Sequence, residues 1–155
     1  MVNLRTEAEV LAIGVETGMN GVEEVIAWAD ARLMATDELP SELIDISMAS
    51  KAHPLDIVHA LRLIPGAVDV ATASRCLIAR MGAEFAAGRV TASHLVRGLY
   101  QMFLSNQLPD DDSAEDMSRL DDAFDFARQG YCRQEEAELA LNDFLRRHRA
   151  APGDD

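Results

Sequence analysis

The sequence predicts an all-α fold: a single compact irregular bundle of about eight helices, with neighbours in sequence running antiparallel. Three observations carry that expectation. Apolar residues recur every three or four positions along the whole chain. No segment alternates apolar and polar residues with β-branched enrichment between turn signals. Helix starters and stoppers punctuate the pattern, leaving short connections.

The elements follow in order. Thr6 and Glu9 read as a capping box, with Leu4, Ala8, Leu11 and Val15 on one face and Gly18 as the stop. Asn20 with Glu23 opens a second helix, whose face is Val22, Val25, Ile26, Ala29 and Leu33. Pro40 suits the first turn of a third, with Leu43, Ile44 and Ile46 inward. Pro54 opens a fourth carrying Ile57, Val58, Leu61 and Ile64, closed by Pro65-Gly66. Asp69 caps a fifth with Val70, Ala73, Leu77, Met81 and Phe85. Thr91 opens a sixth with Leu95, Leu99, Met102 and Phe103. After an acidic loop at 106–112, Ser113 caps a seventh with Met117, Leu120, Phe124 and Ala127, and Gly130 ends it. An eighth runs from about Arg133 to Arg149, with Ala137, Leu141 and Phe144 inward. Residues 1–150 form one domain and 151–155 a frayed tail. No strict repeat of solenoid length is visible.

The 155 residues include 27 acids against 14 bases, a formal charge of −13. Such a balance argues against nucleic acid, whose binders present a basic face that displaces counterions. No apolar run is long enough for a membrane span, and no signal peptide is recognisable, so the expected location is the cytoplasm. Cys76 sits among apolar residues and reads as a small core hydrophobe. A bridge to Cys132 is open, but two thiols in a reducing compartment fit better. No cofactor motif is present: there is no glycine-rich phosphate loop and no zinc spacing.

The charge is uneven. Residues 109–125 hold eight acids, Asp110, Asp111, Asp112, Glu115, Asp116, Asp121, Asp122 and Asp125, against Arg119 alone. A patch of this kind either solvates a helix face or speeds the capture of a basic protein partner. Asp121, Asp122 and Asp125 also match the DDxxD spacing that holds magnesium against a diphosphate, since carboxylates a turn apart share a face. That opens an alternative, a divalent-metal-dependent hydrolase or transferase, although a facing acidic helix is missing. Asp110-Asp111-Asp112 fails as a calcium loop, because Ala114, Glu115 and Asp121 occupy positions that need a ligand, a glycine and a bidentate glutamate. Glu42 and Asp45 have the ExxD spacing of helical pyrophosphohydrolases without the upstream acidic helix. His53, His59, His94 and His148 assemble neither a triad nor a metal site. Trp28 and Tyr131 read either as core-edge residues or as interface anchors. A third possibility is a helical scaffold or adaptor that takes a peptide in an apolar groove.

The run Glu24-Val25-Ile26-Ala27-Trp28-Ala29-Asp30 is followed by Leu39-Pro40-Ser41-Glu42-Leu43-Ile44-Asp45-Ile46-Ser47, and later by Leu120-Asp121-Asp122-Ala123-Phe124-Asp125 and Gly130-Tyr131. These strings, about a quarter of the chain, resemble small acidic all-helical bacterial immunity-type proteins. The resemblance implies a non-catalytic cytoplasmic protein that neutralises a cognate toxin by binding it. It carries over no catalytic residue.

Overall fold

The protein is described from a computed structural model over residues 2–38 and 40–150. Among these residues there are eight α-helices and no strand: α1 (Leu4–Glu16), α2 (Val22–Ala35), α3 (Ser41–Ser47), α4 (Pro54–Leu63), α5 (Val70–Ala86), α6 (Ala92–Leu104), α7 (Asp111–Arg128) and α8 (Gln134–His148). The tail expected at 151–155 lies outside the described residues.

Several helices start at caps other than the expected ones. The α1 N-cap is Asn3, whose Oδ1 accepts from the Thr6 amide at 2.8 Å. Thr6 is therefore inside the helix, and its hydroxyl accepts from the Asp69 amide at 3.2 Å, joining the starts of α1 and α5. Glu9, expected in a box with Thr6, turns into buried ion pairs. Gly21 rather than Asn20 caps α2, and its box partner is Glu24, not Glu23. Pro40 is the N-cap of α3 and not part of its first turn. The α7 cap is Asp110, with Ser113 as the reciprocal partner three residues on. Asp111 and Asp112 are consequently helical, where they favour the positive end of the helix dipole. Asp69 and Thr91 cap α5 and α6 as expected.

Three connections share one geometry. Each helix ends with a glycine in the left-handed region: Gly18 (φ 76°), Gly88 (φ 74°) and Gly130 (φ 82°). The next amide reaches back to the final turn, as with Arg89 to Glu84 at 2.9 Å and Tyr131 to Phe126 at 2.9 Å. The next helix cap stands three residues after the glycine in each case, at Gly21, Thr91 and Arg133. A side chain with a Cβ is strained in this conformation, which is why glycine stops these helices.

The apolar core has two parts with α1 between them. Ala8, Leu11 and Ala12 of α1 pack with Val25, Ala29, Leu43, Ile46, Ile57 and Leu61 of α2–α4. Val10 and Ile13, on the other side of α1, pack with residues of α5–α8 such as Leu77, Leu95, Met117 and Leu141. Every residue from Ala8 to Gly14 is thus buried, where a single apolar face was expected. The main partners of α1 are α4 and α5 rather than the adjacent α2, whereas α7 and α8 pair as sequence neighbours.

Two positions expected inward face solvent. Ile44 is 48% exposed, because the two-turn α3 reaches its neighbours only through Leu43 and Ile46. Val70 is 45% exposed in the first turn of α5, outside the packed part of the helix. Cys76 is buried on α5 and Cys132 is half-buried beside α7; they form no bridge with each other.

Candidate functional site

The acidic stretch becomes the surface of α7. Met117, Leu120 and Phe124 bury one face, with Ser113 beneath the first turn. The carboxylates project from the remaining arc, and they divide by what they touch.

Two are committed to the fold. Asp110 accepts from the Ser113 amide at 2.8 Å and from Arg75 of α5 at 2.5 Å. The Ser113 amide contributes most, desolvation opposes it, and Arg75 adds to the lowering, so the carboxyl is held below the usual aspartate range. Asp116 lies 2.6 Å from His148 Nε2 and 2.9 Å from Arg147, both on the last turn of α8. His148 is buried, and its ring packs on Phe144 at a centroid distance of 4.8 Å. These contacts clamp α7 to α8. The connection before α7 is fixed as well. Ser74 donates to the Gln107 carbonyl at 2.5 Å, and the Gln107 amide side chain donates to Glu16 at 2.6 Å.

Two more have surface partners on their own helix. Glu115 pairs with Arg119, and Asp125 with Arg128 at 3.1 Å and Gln129 at 2.9 Å. Exposed pairs like these contribute ~0.2–1 kcal/mol and are screened by salt. The last four, Asp111, Asp112, Asp121 and Asp122, have no hydrogen-bond or ion-pair partner among the described residues.

An aromatic pair stands at the C-terminal end of the same helix. Phe126 is 52% exposed and Tyr131 78% exposed, and their rings meet edge-to-face at 6.3 Å. Phe126 lies one turn beyond Asp122, so the carboxylate and the ring share a face. Phe126 was not singled out from sequence; its position two residues after buried Phe124, and therefore off the core face, was the available signal. Glu135 and Glu136 in the first turn of α8 add negative charge at this end of the α7–α8 pair.

Trp28 is elsewhere. It sits on α2, whose main contact is with α3, and its indole N–H donates to Glu7 of α1 at 3.2 Å. Glu7 also pairs with Arg32. The structure therefore joins Tyr131 to the acidic helix and places Trp28 in a separate cleft. No three His, Cys, Asp or Glu side chains among the described residues are grouped as a metal site. For the DDxxD carboxylates, the immediate partners of Asp125 are a cation and an amide.

A second charged cluster escaped the sequence reading. Glu9, 5% exposed, pairs with Arg5 at 2.9 Å and with Arg62 of α4 at 2.9 Å. Arg62 also grips Glu16 at 2.7 Å. Burial disfavours the charged form of Glu16, but hydrogen bonds from Arg62 and Gln107 win and lower its pKa. The bond to Glu16, opposed by desolvation and reinforced by Glu9, raises that of Arg62. The cluster ties α4 and the α6–α7 connection to α1.

Compared with family models, curated proteins and solved structures, the chain gives no match.

Proposed function

We propose that the protein is a non-catalytic binding protein of the immunity type, which neutralises a basic partner, a cognate toxin, by covering it with the acidic face of α7. The observation that carries this reading is a set of four carboxylates without partners among the described residues, Asp111, Asp112, Asp121 and Asp122, on a helix that ends in the exposed Phe126–Tyr131 pair. Charge of this kind steers encounter with a positive surface, and an exposed aromatic pair supplies apolar area for a short-range anchor. The committed residues support it from beneath. Asp110–Arg75 and Asp116–His148 brace the helix, so little ordering is left to be done on binding. No helix among the described residues is long and apolar enough to cross a membrane, and the proposed site of action is the cytoplasm.

The test begins with a partner retrieved from native cell extract at low salt and then purified. Binding is measured by calorimetry and stopped flow for the wild type and for a variant with Asp111, Asp112, Asp121 and Asp122 changed to Asn. The variant should associate at least tenfold more slowly, with a flatter dependence on salt. Tyr131→Ala should mainly raise the dissociation rate. Equal kinetics for the wild type and both variants would remove α7 from the interface.

A further inference from the structure

We propose that the cleft between α1, α2 and α5 binds a small amphiphilic carboxylate, an apolar body ending in a single negative charge. The cavity holds about 450 Å3, within the range of small-molecule sites. Trp28 of α2 forms one wall, Val10 of α1 and Ala79 of α5 contribute apolar surface, and Glu7, Arg32 and Arg80 supply the charge.

The charges decide the class of ligand. Glu7 is engaged twice, by Arg32 and by the indole N–H of Trp28, so it is neutralised and the Trp28 ring is held in place. Arg80 has no hydrogen-bond or ion-pair partner among the described residues. Of the two acids near it in the adjoining cavity, Glu84 is bound by Arg89 at 2.7 Å, whereas Glu24 accepts from the neutral amide of Asn20 at 2.6 Å and keeps its charge without an ion pair to Arg80. Within the lining itself, once Glu7 and Arg32 have paired, the remaining charge is the positive one of Arg80, in a chain of charge −13. That cation is a guanidinium, whose planar fork matches a carboxylate in two parallel hydrogen bonds. The apolar lining excludes a fully polar anion as the best fit. This site is distinct from α7 and does not depend on the function proposed above.

Trp28 is the only tryptophan, so its fluorescence reads this cleft directly. Octanoate, octanol and octylammonium are titrated below their aggregation concentrations. Octanoate should change Trp28 emission saturably with one site per chain, with octanol and octylammonium at least tenfold weaker. Arg80→Gln should weaken octanoate at least tenfold. Ala83→Phe, at an exposed position of the lining, should block it while circular dichroism stays unchanged. Arg97→Gln, an exposed arginine on α6 outside the lining, should have no effect. The proposal is overturned by the absence of a saturable change, by octanol binding as well as octanoate, or by Arg80→Gln binding like the wild type.

Discussion

Gly14 shows how a single residue in α1 constrains another element. A Cβ built there would fall 1.7 Å from Asn20 Oδ1. Asn20 cannot swing aside freely, because its amide donates to Glu24 at 2.6 Å beside the start of α2. Alanine is intrinsically the better helix former by about 1 kcal/mol, yet overpacking costs ~1–3 kcal/mol, so the clash should win. Gly14→Ala is expected to lower stability in urea denaturation, and Asn20→Ala in that background to recover part of the loss. A Gly14→Ala protein as stable as the wild type would show that the close approach is not a constraint. Little of this was legible in sequence. Nothing along the chain marks Gly14, since its neighbour Asn20 arrives only through the turn at Gly18.

At the level of the element, α7 joins what was readable to what was not. Its apolar face, Met117, Leu120 and Phe124, follows from spacing alone. Its start does not: Ser113 was expected as the cap, whereas Asp110 caps the helix with Ser113 as its reciprocal partner, and Asp110 also receives Arg75 from α5. Asp110→Ala should therefore cost about 0.5–2 kcal/mol, the usual range for a lost N-cap. The loss should depend on pH in a defined direction. Asp110 has a lower pKa folded than unfolded, chiefly through the Ser113 amide, so its stabilisation is complete above the unfolded value of ~3.9 and disappears as pH falls through the folded value. Urea midpoints of wild type and Asp110→Ala should differ fully at pH 7 and converge as the pH falls below ~4. A gap that stays constant into strong acid would exclude the carboxylate as its source.

Over the whole molecule, α1 is the shared wall of both apolar clusters. A helix buried on both sides cannot lose one partner layer without exposing apolar surface to water, which couples the two halves. Trp28 packs against the α2–α4 cluster, whereas circular dichroism reports all eight helices. Unfolding followed by Trp28 fluorescence and by circular dichroism should give coincident transitions. Leu11→Ala, which truncates one cluster only, should shift both together by ~2–5 kcal/mol. A fluorescence transition that precedes the loss of helix would mean that α2–α4 open independently.

Helix number, order and most inward faces were determined by the sequence itself, because periodicity, caps and stops are relations between residues three or four apart. The tertiary structure decided which charges are spent and which are available. Asp116 meets His148 across 32 positions, Asp110 meets Arg75 across 35, and Glu9 meets Arg62 across 53. Eight acids that look alike along the chain therefore become two braces, two screened surface pairs and four carboxylates unpaired among the described residues. Trp28, an equivocal aromatic in the sequence, becomes a wall of a cleft, because only packing sets α2 and α5 on either side of α1.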